Sequence, residues 1–167
     1  MKIFLKDALA TQNLGITLGQ TLKANTVILL EGDLGAGKTT LVQGLGEGLG
    51  INEPIVSPTF TIINEYNRAR LPLYHLDLYR LETAEIVGLN LDTYWEGVEV
   101  EPGIVAIEWA QRLPYKPDAY LTINLANDNK SQDLEEVNSA GRTAQIIPFN
   151  FSLDEKILAL SEEPNCE

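Results

Sequence analysis

The sequence predicts an α/β fold organised around a phosphate-binding loop, and three observations carry that prediction. Gly32-Asp33-Leu34-Gly35-Ala36-Gly37-Lys38-Thr39 completes the pattern G-x-x-x-x-G-K-[ST]. Thr26 to Glu31, directly before it, is a β-branched and apolar segment that reads as a buried strand. Thr40 to Leu49, directly after it, has the apolar spacing of a helix, although Gly44, Gly46 and Gly48 lower its intrinsic propensity. Strand, loop and helix in that order are the context in which the pattern works as a phosphate cradle. The four fixed positions match by chance in roughly one chain per hundred of this length. A glycine-rich turn capping an ordinary helix is the plain alternative. A bound nucleoside triphosphate accounts for more of the pattern. Its expected contacts are Asp33, Gly35, Ala36, Gly37, Lys38, Thr39 and Thr40. Lys38 reaches the β- and γ-phosphates and the Thr39 hydroxyl takes one Mg²⁺ position.

The composition agrees with one domain of 167 residues and a sizeable core, since 44% of residues are hydrophobic and 22% charged. The expectation is a single unit over 1–167, with an acidic tail from about 161 that frays. No apolar run is long enough to span a bilayer, and Met1 to Asp7 is charged too early for a signal peptide. A lone Cys166 cannot form an internal disulfide, which fits a reducing cytoplasm. Twelve basic against 24 acidic residues leave a net charge of −12. Such a chain is repelled by nucleic acid, so any role in a nucleic-acid pathway is expected to run through a protein partner.

Taken in order, Ile3 to Leu5 reads as a short edge strand, and Asp7 as the N-cap of a helix with leucines at 14, 18 and 22. Thr11 lies in its first turns, either as a solvated threonine or as a contact to the nucleotide base. Gly50 closes the helix after the loop, and Asn52-Glu53-Pro54 turns the chain. Pro58 stiffens Ser57-Pro58-Thr59-Phe60 into an extended connector. Its two hydroxyls sit where a γ-phosphate sensor would be placed.

Phe60 to Tyr66 and Leu71 to Tyr79 read as two strands joined by a turn at Asn67 to Arg70. Period-two alternation puts His75, Asp77 and Tyr79 on one face and Tyr74, Leu76 and Leu78 on the other. Asp77 closes an apolar strand and has the character of a Mg²⁺-side aspartate, or else caps a following helix from about Leu81 to Leu89. His75 reads as a hydrogen-bonded core histidine more than a ligand. Arg80 is open between a phosphate contact and a surface ion pair. Glu96, Glu99 and Glu101 form a solvated acidic run.

Gly103 to Trp109 is a strong buried-strand signal ending in Glu108, whose burial without a partner would be costly. Glu108 therefore pairs with a cation such as Arg112 or coordinates the metal. The carboxyl end of a strand favours the metal. Tyr120 to Leu125 and Thr143 to Phe149 are further strands, joined by a polar loop. Arg142 opens the second, either as an ordinary exposed arginine or as a residue that reaches the nucleotide. Ser152 to Leu160 is a short helix capped by Ser152.

The phosphate loop, Ser57-Pro58-Thr59-Phe60, Tyr74-His75-Leu76-Asp77-Leu78-Tyr79-Arg80 and Ile107-Glu108-Trp109, in this order, resemble the bacterial TsaE family. The resemblance covers roughly residues 7 to 149. It implies a P-loop NTPase-like three-layer sandwich, with a mostly parallel central sheet and extra antiparallel strands. It implies ATP and Mg²⁺ as ligand and cofactor, with Thr39 and Glu108 on the metal, Lys38 on the phosphates and Asp77 near the metal-bound water. It also implies an ATPase that cycles the TsaB–TsaD pair, which modifies adenosine 37 of tRNAs, with tRNA met only indirectly. One departure is Ala110-Gln111-Arg112 after Trp109, where the family more often carries Pro-Glu-Arg.

Three other readings compete. A small-molecule kinase would usually bring several arginines on a lid, but the chain has five arginines and no lid-like cluster. A GTPase would show N-K-x-D, which Asn129-Lys130-Ser131-Gln132-Asp133 misses by one residue. A nucleotide-gated scaffold would bind ATP without turning it over.

Overall fold

The computed structural model describes residues 1–127 and 141–161. The chain runs β1 (Lys2–Leu5), α1 (Ala8–Thr21), β2 (Thr26–Glu31), α2 (Lys38–Leu49), β3 (Ile63–Tyr66) and β4 (Leu73–Asp77). It continues through α3 (Thr83–Gly88), α4 (Thr93–Glu96), β5 (Ile104–Glu108), a 3₁₀ turn at Ala110–Arg112, β6 (Tyr120–Asn127), β7 (Arg142–Phe149) and α5 (Glu155–Ala159). The strands form one sheet in the order β1-β7-β6-β2-β5-β4-β3. The four central strands, β6, β2, β5 and β4, are parallel. Antiparallel strands flank them, β7 and β1 on one side and β3 on the other.

Burial explains the parallel centre. Val27, Ile28, Leu29 and Leu30 of β2 are all inaccessible, alternating into two different cores. A strand covered on both faces needs an unbroken apolar run, and β2 supplies one. Each such side chain contributes about 1.5–3 kcal/mol by burial, more than the ~1 kcal/mol spanned by strand propensity. On one face, Leu14 and Leu18 of α1 and Leu41 and Leu45 of α2 cover Ile28, Leu30, Ala106 and Ile123. On the other, Ile86 of α3, Leu91 and Ala110 cover Val27, Leu29, Leu76 and Ile107. The result is the expected three-layer arrangement. No helix among the described residues is long and apolar enough to cross a membrane.

Several boundaries differ from the sequence expectation. The strand expected from Phe60 begins only at Ile63, because Ile62 N–H closes a turn onto the Pro58 carbonyl at 2.6 Å and Ile62 has φ of +69°. The following strand is trimmed to Leu73–Asp77. Glu82, not Asp77, caps α3, in a reciprocal capping box with Glu85. Asp154 rather than Ser152 caps α5, its carboxylate accepting from Lys156 N–H at 2.9 Å. Asp7 caps α1 as expected, accepting from Ala10 N–H at 2.7 Å. The near-miss at Asn129 to Asp133 and the tail beyond Ser161 lie outside the described residues.

The glycines that weaken α2 as a helix have a packing reason. A Cβ on Gly44 or Gly48 would strike the Gln12 or Ile16 carbonyl of α1, and one on Gly15 or Gly19 would strike the Leu41 or Leu45 carbonyl of α2. Backbone meets backbone along this crossing, and the close approach fixes the helix that carries the phosphate loop. Helix propensity alone favours Gly44→Ala by about 1 kcal/mol. Overpacking costs about 1–3 kcal/mol and dominates. Gly44→Ala is therefore expected to lower stability in urea denaturation; a more stable variant would show that the helices are not held at backbone contact.

Candidate functional site

Three parallel strands bring their carboxyl ends to one level. Leu30 of β2 lies opposite Glu108 of β5, and Glu108 opposite Asp77 of β4. Ligands of open α/β sheets bind at such ends. From here the chain leaves β2, turns through Gly32 to Gly37 and enters α2. Gly37 is the N-cap of α2 with φ of +103°, a conformation that favours glycine, and a Cβ there would meet the Arg142 guanidinium. The first N–H groups of α2 have no partners within the helix and present partial positive charge.

A cleft of about 320 Å³ opens over this loop. Among the residues expected to serve it, Gly35, Gly37, Lys38, Thr39, Thr40, Asp77, Glu108 and Arg142 line the cleft, together with Ser57 and Thr59. Asp33, Ala36 and Thr11 do not line it. The Asp33 carbonyl accepts from Lys38 Nζ at 2.9 Å, and the Ala36 carbonyl accepts from Arg142 Nη1 at 3.2 Å. Thr11 is buried beneath the loop, and its hydroxyl donates back to the Asp7 carbonyl at 3.2 Å.

Lys38 is 5% exposed and folds back on its own loop, also donating to the Gly32 carbonyl at 2.7 Å. The Trp109 ring lies 4.2 Å from Nζ. Burial lowers the Lys38 pKa below its ordinary value, and the Glu108, Asp77 and Asp33 carboxylates offset part of that shift.

The two carboxylates are nearly inaccessible, each 3% exposed, and each is held by donors. Glu108 Oε1 accepts from the Thr39 hydroxyl at 2.9 Å and lies 2.8 Å from His75 Nε2. The expected alternative partner, Arg112, instead donates to the Leu81 carbonyl. Asp77 Oδ2 accepts from the Thr59 hydroxyl at 2.7 Å, and Oδ1 from Tyr79 N–H at 2.9 Å. Ser57 Oγ lies 2.8 Å from Thr59 Oγ1, so the connector's hydroxyls chain onto Asp77. Among the described residues Arg80 forms no ion pair; its guanidinium sits 4.9 Å from the Phe60 ring centre.

Trp109 is a cleft residue without a role of its own in the sequence expectation. Its backbone is left-handed, with φ of +58°, strain of about 1–3 kcal/mol for a non-glycine residue. That conformation carries the indole over Lys38 and against Tyr79, with ring centres 4.7 Å apart. Its place after Glu108 was the only signal.

Chemically, the cleft offers helix N-terminal donors and a buried cation for an anion, and oxygen ligands for a hard cation. Thr39 and Glu108 provide the donor set Mg²⁺ prefers, and that ion needs only one or two protein ligands beside water and phosphate.

Comparison with known proteins agrees with this architecture. The family described as threonylcarbamoyl adenosine biosynthesis protein TsaE matches residues 5–136. A relative from Nostoc sp. strain PCC 7120, named tRNA threonylcarbamoyladenosine biosynthesis protein TsaE, is 60% identical over 156 residues, 93% of this chain and 91% of the relative. One of the same name from Synechocystis sp. strain PCC 6803 is 58% identical over 117 residues, 70% of this chain and 74% of the relative. The crystal structure of YdiB from Bacillus subtilis superposes with a TM-score of 0.66 at 32% identity, covering 98% of this chain and 92% of that one. With its phosphate loop, paired strand-end carboxylates and match across most of its length, the chain belongs to the TsaE family.

Proposed function

We propose that this chain binds Mg²⁺-ATP in the cleft at the head of α2 and hydrolyses it, as the ATPase component of tRNA threonylcarbamoyladenosine biosynthesis. The observation that carries the proposal is the convergence of Lys38, the Thr39–Glu108 pair and Asp77 on one phosphate loop. Family membership supports the pathway. The partners we propose are TsaB and TsaD in the cytoplasm, with tRNA reached only through them, because a chain of net charge −12 is repelled by a polyanion.

In this reading, phosphate oxygens replace the Gly32 and Asp33 carbonyls on Lys38, which brings its positive charge onto the transferring phosphoryl group. Thr39 and Glu108 would hold Mg²⁺, which would supply charge neutralisation for the phosphates. Asp77, fixed by Thr59 and the Tyr79 N–H, orients a water. The Thr59–Asp77 bond ties the connector after α2 to the cleft, so the Ser57 to Phe60 segment responds to what occupies it.

The first experiment is Mg²⁺-ATP hydrolysis by the purified protein, alone and with TsaB–TsaD. Slow release of phosphate that rises with the pair is expected; fast release alone, or transfer to an acceptor other than water, would point to an independent P-loop enzyme. Lys38→Ala is expected to lower turnover by about 100-fold or more in the same assay, since it removes a charge preorganised for the transition state. Glu108→Ala should impair Mg²⁺-dependent hydrolysis more than nucleotide binding, and unchanged turnover at limiting Mg²⁺ would remove Glu108 from the metal. The cationic form of Lys38 binds phosphate, and its pKa lies below the ordinary 10.5. ATP affinity should therefore decline as pH rises, beginning below 10.5; affinity that holds up to that pH would mean the bound lysine is not the one described.

A further inference from the structure

We infer that His75 is a positioning residue: its Nε2–H holds Glu108 Oε1 in place, and through Glu108 it sets the direction of the Thr39 hydroxyl. The inference rests on the reading of Thr39 and Glu108 as the Mg²⁺ pair. His75 is wholly inaccessible and lies opposite Ala106 in the β4–β5 register. The small Ala106 side chain leaves room for the imidazole to reach diagonally to Glu108, two residues along β5, at 2.8 Å. A carboxylate accepts only, so an ionised Glu108 requires the proton on Nε2.

The other ring nitrogen makes the case. Nδ1 is buried with no hydrogen-bond partner among the described residues. A histidine kept only for packing would satisfy both nitrogens or give way to an apolar side chain. Among the described residues the imidazole's one hydrogen-bond partner is Glu108. Oε1 thus receives two donors, Thr39 and His75, which fix the carboxylate plane. The Thr39 proton is committed to Glu108, and the hydroxyl lone pairs stay available to a cation. Partners of this kind, which orient a ligand without touching the metal, change metal affinity by about 10–100-fold when removed.

The test uses the full chain, with ADP and Mn²⁺ as probes. In H75Q the side-chain amide can occupy the Nε2 position, whereas in H75N it is too short to reach Glu108. H75N is expected to weaken Mn²⁺ binding to the ADP complex about ten-fold, read by electron paramagnetic resonance, with metal-free ADP affinity unchanged. H75Q is expected to stay near the parent. Parent-like Mn²⁺ binding in both variants overturns the inference, as does an equal loss in both together with ADP affinity. Should the parent bind no Mn²⁺ in the presence of ADP, the Mg²⁺ reading of Thr39 and Glu108 fails, and this inference with it. A second measurement needs no variant, because His75 is the single histidine of the chain. Nitrogen-15 NMR should find the Nε2–H tautomer; an Nδ1–H tautomer overturns the assignment.

Discussion

Leu30, Glu108 and Asp77 lie opposite one another across β2, β5 and β4, and the register that puts them there governs everything else in the cleft. It brings two strand-end carboxylates beside the strand that feeds the phosphate loop. A slip of one residue would turn Glu108 and Asp77 to the opposite face, away from Thr39. Such a slip is prevented by burial on both sides, because every residue of β4 and β5 is buried and each alternates into a different core.

That register concentrates charge where water is scarce. Lys38, Asp77 and Glu108 are each nearly inaccessible, and none could remain charged there without partners. The structure supplies them from four directions: loop carbonyls for the ammonium, the Thr39 hydroxyl from α2, the Thr59 hydroxyl from the connector and His75 from β4. Trp109 adds an aromatic face over the ammonium at the expense of a strained backbone. The site is thus held in readiness by short polar contacts inside a close-packed frame.

The frame itself depends on how closely α1 and α2 approach. Glycines on both helices let their backbones touch, and Arg70 donates from the β3–β4 connection to the Gly19 and Leu22 carbonyls at the end of α1. Arg142 of β7 reaches back to the Ala36 carbonyl of the loop. The phosphate loop is therefore braced from beneath by Thr11 and α1 and from the side by β7, elements far from it in sequence.

Local chemistry made much of this protein legible from the chain alone. The phosphate loop, the buried run of β2, the Asp7 cap and the alternation that separates His75 and Asp77 from Tyr74 and Leu76 all follow from neighbours within a few residues. Steric and periodic rules act at that range. The Ile62 turn, the caps of α3 and α5 and the left-handed Trp109 were not legible, because several local options compete there and packing chooses among them. Whether Glu108 pairs with Arg112 or His75 is likewise not a property of either segment. It depends on which side chains the parallel register sets side by side, and only the folded sheet brings residues 39, 75 and 108 within hydrogen-bond reach. The sequence by itself determined the glycine-rich loop and the buried strand that leads to it. The tertiary structure decided the partners of its buried charges, since the cost of burying a charge is met by groups that come together only on folding.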